Sequence, residues 1–254
     1  MSFTGPFLLA LVLQCGHLTA PSPIADRELF PGVHVNLTTK TVDFDARITP
    51  MLVRDERAPL FFLEVIACSP NTREHETLIV SDVKPSHLHA ALLLIGLTPG
   101  RPARWALKDN VLVSTPPTGD RVSVRVISTD KAGATTESDP LDWISSSARP
   151  ARFAESELAV ARSGNLPAPG WVFAGSRLIK RKPPGSSPDA APQDFYDADG
   201  SGTIIGLTTF GSEVIAWSRV ISPDAATTEP EWIADFAKTP PADTRVRVRL
   251  RKAE

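Results

Sequence analysis

The chain is poor in the residues that build the commonest covalent and metal scaffolds. It has only 2 cysteines, 2 methionines and 1 tyrosine in 254 residues. Cys15 falls at the end of an N-terminal apolar run, which leaves Cys68 alone in the body of the chain. One cysteine makes no internal disulfide, no CxxC redox pair, no zinc ribbon and no cysteine-ligated iron–sulfur cluster. Apolar runs of membrane-spanning length are missing too, the best internal one being Ala90 to Leu97. Charge of one sign is not in excess: 27 Lys and Arg stand against 29 Asp and Glu, a formal net charge of −2. That balance offers no global field for nucleic acid. The GxSxG, P-loop, GxGxxG and HExxH signatures are all absent, which removes the commonest hydrolase, nucleotide and zinc-protease readings.

What is present is proline, 24 residues in all, about twice the usual share of about 5%. Together with 42% hydrophobic residues, this describes a chain with a core whose backbone spends much of its length in connections, not a helical bundle. Pro6 to Leu13 (PFLLALVL) fits the apolar centre of an export signal. Residues 1–20 are therefore expected to be a signal peptide, and the mature protein periplasmic or extracellular. Gln14 stands where a lipoprotein signal wants a small residue, so anchoring at Cys15 is not expected.

Beyond a linker at 21–30, short alternating segments dominate. Gly32–Leu37, Thr41–Ile48, Thr77–Val83, Arg121–Ser128, Trp171–Ile179 and Thr244–Leu250 read as strands. Leu60–Ala67 reads as a central strand, with Glu64 an oddity that is either paired or at a rim. Thr203–Phe210 and Glu213–Ser218 read as a hairpin around Gly211. One main helix is expected over about 85–96, with Pro85 in its first turn and Gly96 as its cap. Short helices are expected at Arg152–Arg162 and Glu229–Ala237, and a polar loop at about 180–200. The expectation is a single α+β domain over 31–251, with a strand-rich mixed or antiparallel sheet.

Three of the five histidines, His75, His87 and His89, lie within one short stretch that also holds Cys68, Glu74 and Glu76. Imidazole, thiolate and carboxylate are the ligands a zinc, copper or iron site recruits. On a helix the side chains of His87 and His89 diverge by about 200°, so only one can face a given site. His75 and Glu76 point to opposite faces if they begin a strand. The economical set is His89 with His75 or Glu76, near Cys68. A hydrogen-bonded His89–Glu76 pair holding helix to strand is the simpler alternative. Asp197, Asp199 and Ser201 follow a calcium-loop spacing, but Thr208 stands at the position of the bidentate Glu, so a turn is favoured. The alternating Arg245, Arg247, Arg249 and Arg251 share one face of a strand, read as a solvated outer face.

The run REHETLIVSDVKPSHLHAALLLIG resembles the YdjY-domain family, with PPTG at 116–119, DWI at 142–144, WVFAGS at 171–176 and TIIGLTTFGSEVIAW near 203–217 agreeing in order. The likeness is to the long forms of planctomycete-type bacteria. It implies an exported protein and matches Cys68, Glu74, His75, Glu76 and His89, leaving His87 incidental. It assigns no reaction. The reading that follows is a non-enzymatic binding or structural module of the cell envelope, with a protein or envelope partner. The alternative is a metal-binding protein or metalloenzyme using His89, His75, Glu76 and Cys68 around a transition metal.

Overall fold

The computed structural model describes residues 26–53, 60–109, 111–130, 132–183, 185–187 and 189–253. The expected leader lies outside these residues. Alternation of apolar and polar residues sets the strands that form the frame. In β3 (Thr41–Ile48), Val42, Phe44 and Ile48 turn inward, while Asp43 and Asp45 turn out. In β6 (Arg121–Thr129), Val122, Val124 and Val126 are the inward set, and in β10 (Arg245–Lys252) it is Val246, Val248 and Leu250. Period two allows one face to fill a core while the other meets water. Full burial of a side chain such as Phe44 or Phe173 contributes about 1.5–3 kcal/mol.

The remaining frame strands are shorter. β1 (Arg27–Phe30) and β2 (Val33–Asn36) precede β3, so the end of the span read as linker is an edge strand. β4 (Val65–Cys68), β5 (Thr77–Val80), β7 (Trp171–Phe173), β8 (Thr203–Gly206) and β9 (Ile215–Trp217) are each three or four residues long. Neighbours run β3-β10-β6-β7-β9-β8-β4-β5, and β5 returns to pair with β3. The ring is therefore a closed eight-strand β-barrel.

The expected α+β architecture is thereby corrected: the molecule is a β-barrel with little helix. The physical reason lies in β3. Its first half pairs with β2, from Asn36↔Thr41 to Val33↔Phe44, and its far end pairs with β5, at Arg47↔Val80 and Ile48↔Ile79. One strand changes partner midway, and that exchange closes the ring and removes its open edge. The expected hairpin at 203–218 is also different. β8 and β9 lie parallel, with Ile205 opposite Ile215, and the intervening loop carries the chain back. The segment expected as a helix at 229–237 instead supplies the strand Trp232–Ala234, paired with Ile144–Ser146.

Helices are accessory. α1 (Pro85–Leu94) takes Pro85 in its first turn, and Gly96 follows its cap at φ +89, as its sequence predicts. Leu88, Ala91 and Leu92 enter the main core. α2 (Phe153–Ser163) ends at Gly164. The single turn α3 (Asp197–Ser201) leads into β8, and Asp199 reaches across to accept the Ser86 N–H at 2.8 Å, capping the start of α1. Lys84 sits 3.3 Å from the same carboxylate, and Arg177 holds Asp197 at 2.7 Å. The calcium-like spacing thus builds a turn and a cap. On the outer face of β10, Arg249 forks onto Asp43 at 2.9 and 2.7 Å and Arg247 bonds Asp45 at 3.2 Å. Those pairs account for two arginines of the basic stripe. No described helix is long and apolar enough to cross a membrane.

Candidate functional site

The motif residues separate into two places. Cys68 ends β4 and is wholly buried beside Val65 and Val80. Burial pushes its thiol above the ordinary range, so it behaves as a small core residue. The chain then turns through Ser69–Arg73 into a single helical turn, Glu74–Glu76, that feeds β5. The Glu74 carboxylate organises this turn by accepting the N–H groups of Asn71 and of Thr72, the latter at 2.9 Å. Burial pulls Glu74 upward, but those donors outweigh it and hold the carboxyl below its usual range.

His75 and Glu76 come out of this turn at the wall of a cleft of about 420 Å³. The oddity of the sequence, Glu64, stands opposite. Its backbone is gripped on both sides: its N–H donates to the Glu76 carbonyl at 3.0 Å, and its own carbonyl accepts from Leu207 and Thr208 at 3.0 and 2.9 Å. This sets the Glu64 and Glu76 side chains near one another in the cleft lining. Burial first, then the charge and hydrogen bond of Glu76, push the Glu64 carboxyl up to about 7, with Arg73 pulling the other way. Arg73 bonds Oε1 of Glu76 at 2.6 Å and lies 3.7 Å over the Phe210 ring. Nε2 of His75 stands 3.7 Å from Oε2 of Glu76, with the His75 side chain 67% exposed. The apolar part of the cleft lining includes Phe62, Ile221 and Trp232. Glu229 and Glu231 form the rim, and Glu231 is tied to Ser146 at 2.6 Å and to Arg149 at 3.2 Å.

His89 belongs elsewhere. From α1 its Nδ1 meets the Tyr196 hydroxyl at 2.9 Å, and that hydroxyl donates to the Gly175 carbonyl at 3.0 Å. With the phenolic proton committed to Gly175, Nδ1–H is the donor in the first bond. The ring lies edge-on to Phe173 and Tyr196, with centroids 4.9 and 5.5 Å away. Burial lowers its proton affinity. Gly175 adopts φ +79, and a Cβ there would come within 2.7 Å of Pro99 and 3.2 Å of the His89 ring. His87 stacks on Phe30 at 4.4 Å.

The expected His89–Glu76 contact is therefore replaced by His89–Tyr196. Cys68 is in the core, His75 is in solvent, and His89 is bonded to a phenol. Among the described residues there is no group of three or more His, Cys, Asp or Glu placed to hold a metal ion. His75 and Glu76 do share a site, and its third member, Glu64, stands out in the sequence only as an acid inside an apolar run. The apolar wall carries no signal of its own, because Phe62, Ile221 and Trp232 look like ordinary core residues.

No curated protein and no solved structure matches the chain. A family model described as YdjY domain matches residues 33–251, so the barrel up to Arg251, the turn of Glu74–Glu76 and the cleft all lie within the matched span. The chain belongs to the YdjY-domain family.

Proposed function

We propose that this protein is an exported, non-enzymatic binding module of the cell envelope, and that the cleft of Glu64, His75, Glu76 and Trp232 is where it takes its ligand. The observation that carries this reading is the pairing of chemistries across one concavity. A half-buried carboxyl pair faces an open apolar wall in which Phe62 is 39% exposed. Recognition pockets combine a large apolar surface with a few polar groups that fix orientation. Two nucleophiles of this region are already engaged. The Thr208 hydroxyl is turned to the Glu64 carbonyl at 3.3 Å, and the Cys68 thiol is in the core. Arg73 neutralises Glu76, which suits holding a ligand more than moving its protons.

The test uses protein recovered from the exported fraction, whose N-terminus should lie near residue 21. An intact Met1 there overturns export. The protein is then titrated with single-ring aromatic compounds, cationic, neutral and anionic, while amide and indole N–H resonances are followed. Shifts centred on Trp232, Glu64 and His75, with the compounds recovered unchanged, support a binding module. Shifts centred elsewhere, or chemical conversion of a compound, overturn it.

A further inference from the structure

We propose that this protein pairs with a second copy of itself, edge to edge, along the strand Val111–Thr115, in an antiparallel register centred on Val113.

The strand Arg104–Lys108 and the strand Val111–Thr115 form a two-stranded hairpin separate from the barrel sheet. Every residue of Val111–Thr115 is exposed, Val111 at 61% and Leu112 at 54%. Among the described residues its outer edge pairs with no other strand. Proteins blunt such edges with charge, proline or cover. Here Arg104 and Lys108 guard the opposite edge of the hairpin, and Pro116 and Pro117 follow Thr115, but no charge or proline stands within 111–115. The unguarded edge is five residues long, and its middle is Val113.

Backbone geometry selects the register. Lys108 faces Val111 with two residues between them, and a turn of that length closes with a bond from the N–H of its fourth residue to the carbonyl of its first. Asp109 has the positive φ, +50, of the turns that favour hairpins. Bonded and non-bonded pairs alternate from there. Val111, Val113 and Thr115 therefore turn their backbone groups to the neighbouring strand, and Leu112 and Ser114 turn theirs outward. Centring two antiparallel copies on Val113 sets Leu112 of each opposite Ser114 of the other. Both residues point outward, so the join gains four N–H···O=C bonds. A two-fold axis at Val113 relates the copies, and the contact closes at two. A slip of one residue would set outward groups against inward ones and lose those bonds.

Charge supports the same arrangement. On the face that carries Val113, the rows across four strands read Lys108, Val111, Thr115, Arg104 and Ala106, Val113, Val113, Ala106. The two cations of a row stand three strand spacings apart, about 14 Å, beyond the screening length of about 8 Å in physiological salt. Antiparallel pairing also carries the turn of each copy, with Asp109, to the end of the hairpin where its partner bears Arg104 and, past it, Arg101. Neither arginine has a carboxylate partner among the described residues. The acid of one copy is thus complemented by arginines of the other. An edge of five residues buries less than the about 1,200 Å² of a stable interface, so the pairing is weak and reversible.

Sedimentation velocity of the full protein, from about 5 μM to about 1 mM, should show monomer passing reversibly to dimer. Over the same range, amide exchange should slow at Leu112 and Ser114 and change little at Val111 and Val113. Ser114→Pro keeps the hairpin's own bonds, because proline is accepted where an edge N–H faces solvent. It removes two of the four bonds across the join and should weaken the dimer about tenfold or more. Val113→Lys and Val113→Glu each set like charges face to face, so each should be monomeric alone, whereas their equimolar mixture should pair. That mixture tests the register even if the proline variant folds poorly. A protein still monomeric at about 1 mM overturns the proposal, whether or not its hairpin binds vesicles of anionic phospholipid instead. A dimer indifferent to all three substitutions overturns it as well.

Discussion

His75 and His89 stand in one short stretch of chain, yet the protein uses them in opposite ways. His89 is half-buried, its Nδ1 bonded to Tyr196, its ring packed on Phe173, and room for that ring left by Gly175. His75 is exposed beside Glu76, in the lining of the cleft that also holds Glu64. Around His89 the polar contacts join helix, strand end and loop. Around His75 the polar groups open onto a cleft. Neighbouring residues of one family motif can therefore serve different ends. One half of this motif assembles the barrel's surroundings, and the other half lines a cavity.

The largest expected effect probes the assembled half. His89→Ala removes a packed ring and the donor to Tyr196, and chemical denaturation should show a loss of about 2–4 kcal/mol. Tyr196→Phe should cost about 1–2 kcal/mol, because it leaves the Gly175 carbonyl and the His89 N–H without their shared partner. A loss below about 0.5 kcal/mol for His89→Ala, the level of an ordinary surface change, would break the contrast between the two histidines.

An intermediate effect distinguishes the regions by the sign of their pH response. The folded-state proton affinity of His89 is lowered, so its contribution is present above about 6.5 and is lost as pH falls. Glu64 is raised from 4.5 to about 7, so its contribution is present below 4.5 and is lost as pH rises through 7. Glu64→Gln cannot ionise but still has a donor for Glu76. The variant and the parent should have similar stability near pH 4.5, and the variant should be the more stable near pH 8. Discounted for the exposure of Glu64, the gap should be about 1–2 kcal/mol. Equal stabilities across that range would mean that folding does not raise the proton affinity of Glu64.

The same contrast explains what is legible in the sequence. Alternation within β3, β6 and β10 is local, and so are the proline and glycine that bound α1, so those elements can be read residue by residue. Barrel closure depends on β3 trading β2 for β5, and the pairing of β8 with β9 depends on where the intervening loop travels. Neither leaves a period in the sequence. The partner of His89 lies 107 residues away, in a stretch that reads only as a polar loop. Glu64 is conspicuous as a charge in an apolar run, because burying a lone carboxylate is costly. Its partner Glu76 belongs to the motif, but nothing local joins the two. What brings them together is the parallel pairing of β4 with β5, which sets Val65 against Thr77.

The smallest expected effect concerns His75. Its ring is mostly in solvent, and its nearest carboxylate oxygen, Oε2 of Glu76, is 3.7 Å away. Such a contact is screened by water and has to hold a mobile side chain in place. His75→Ala should therefore change unfolding free energy by no more than about 0.5 kcal/mol. The imidazole only borders the cleft, so the affinity of an aromatic probe for the variant should change by no more than about threefold. A large loss of stability would place His75 with His89, as a piece of the frame. A loss of probe affinity of tenfold or more would make the imidazole one of the ligand's own contacts.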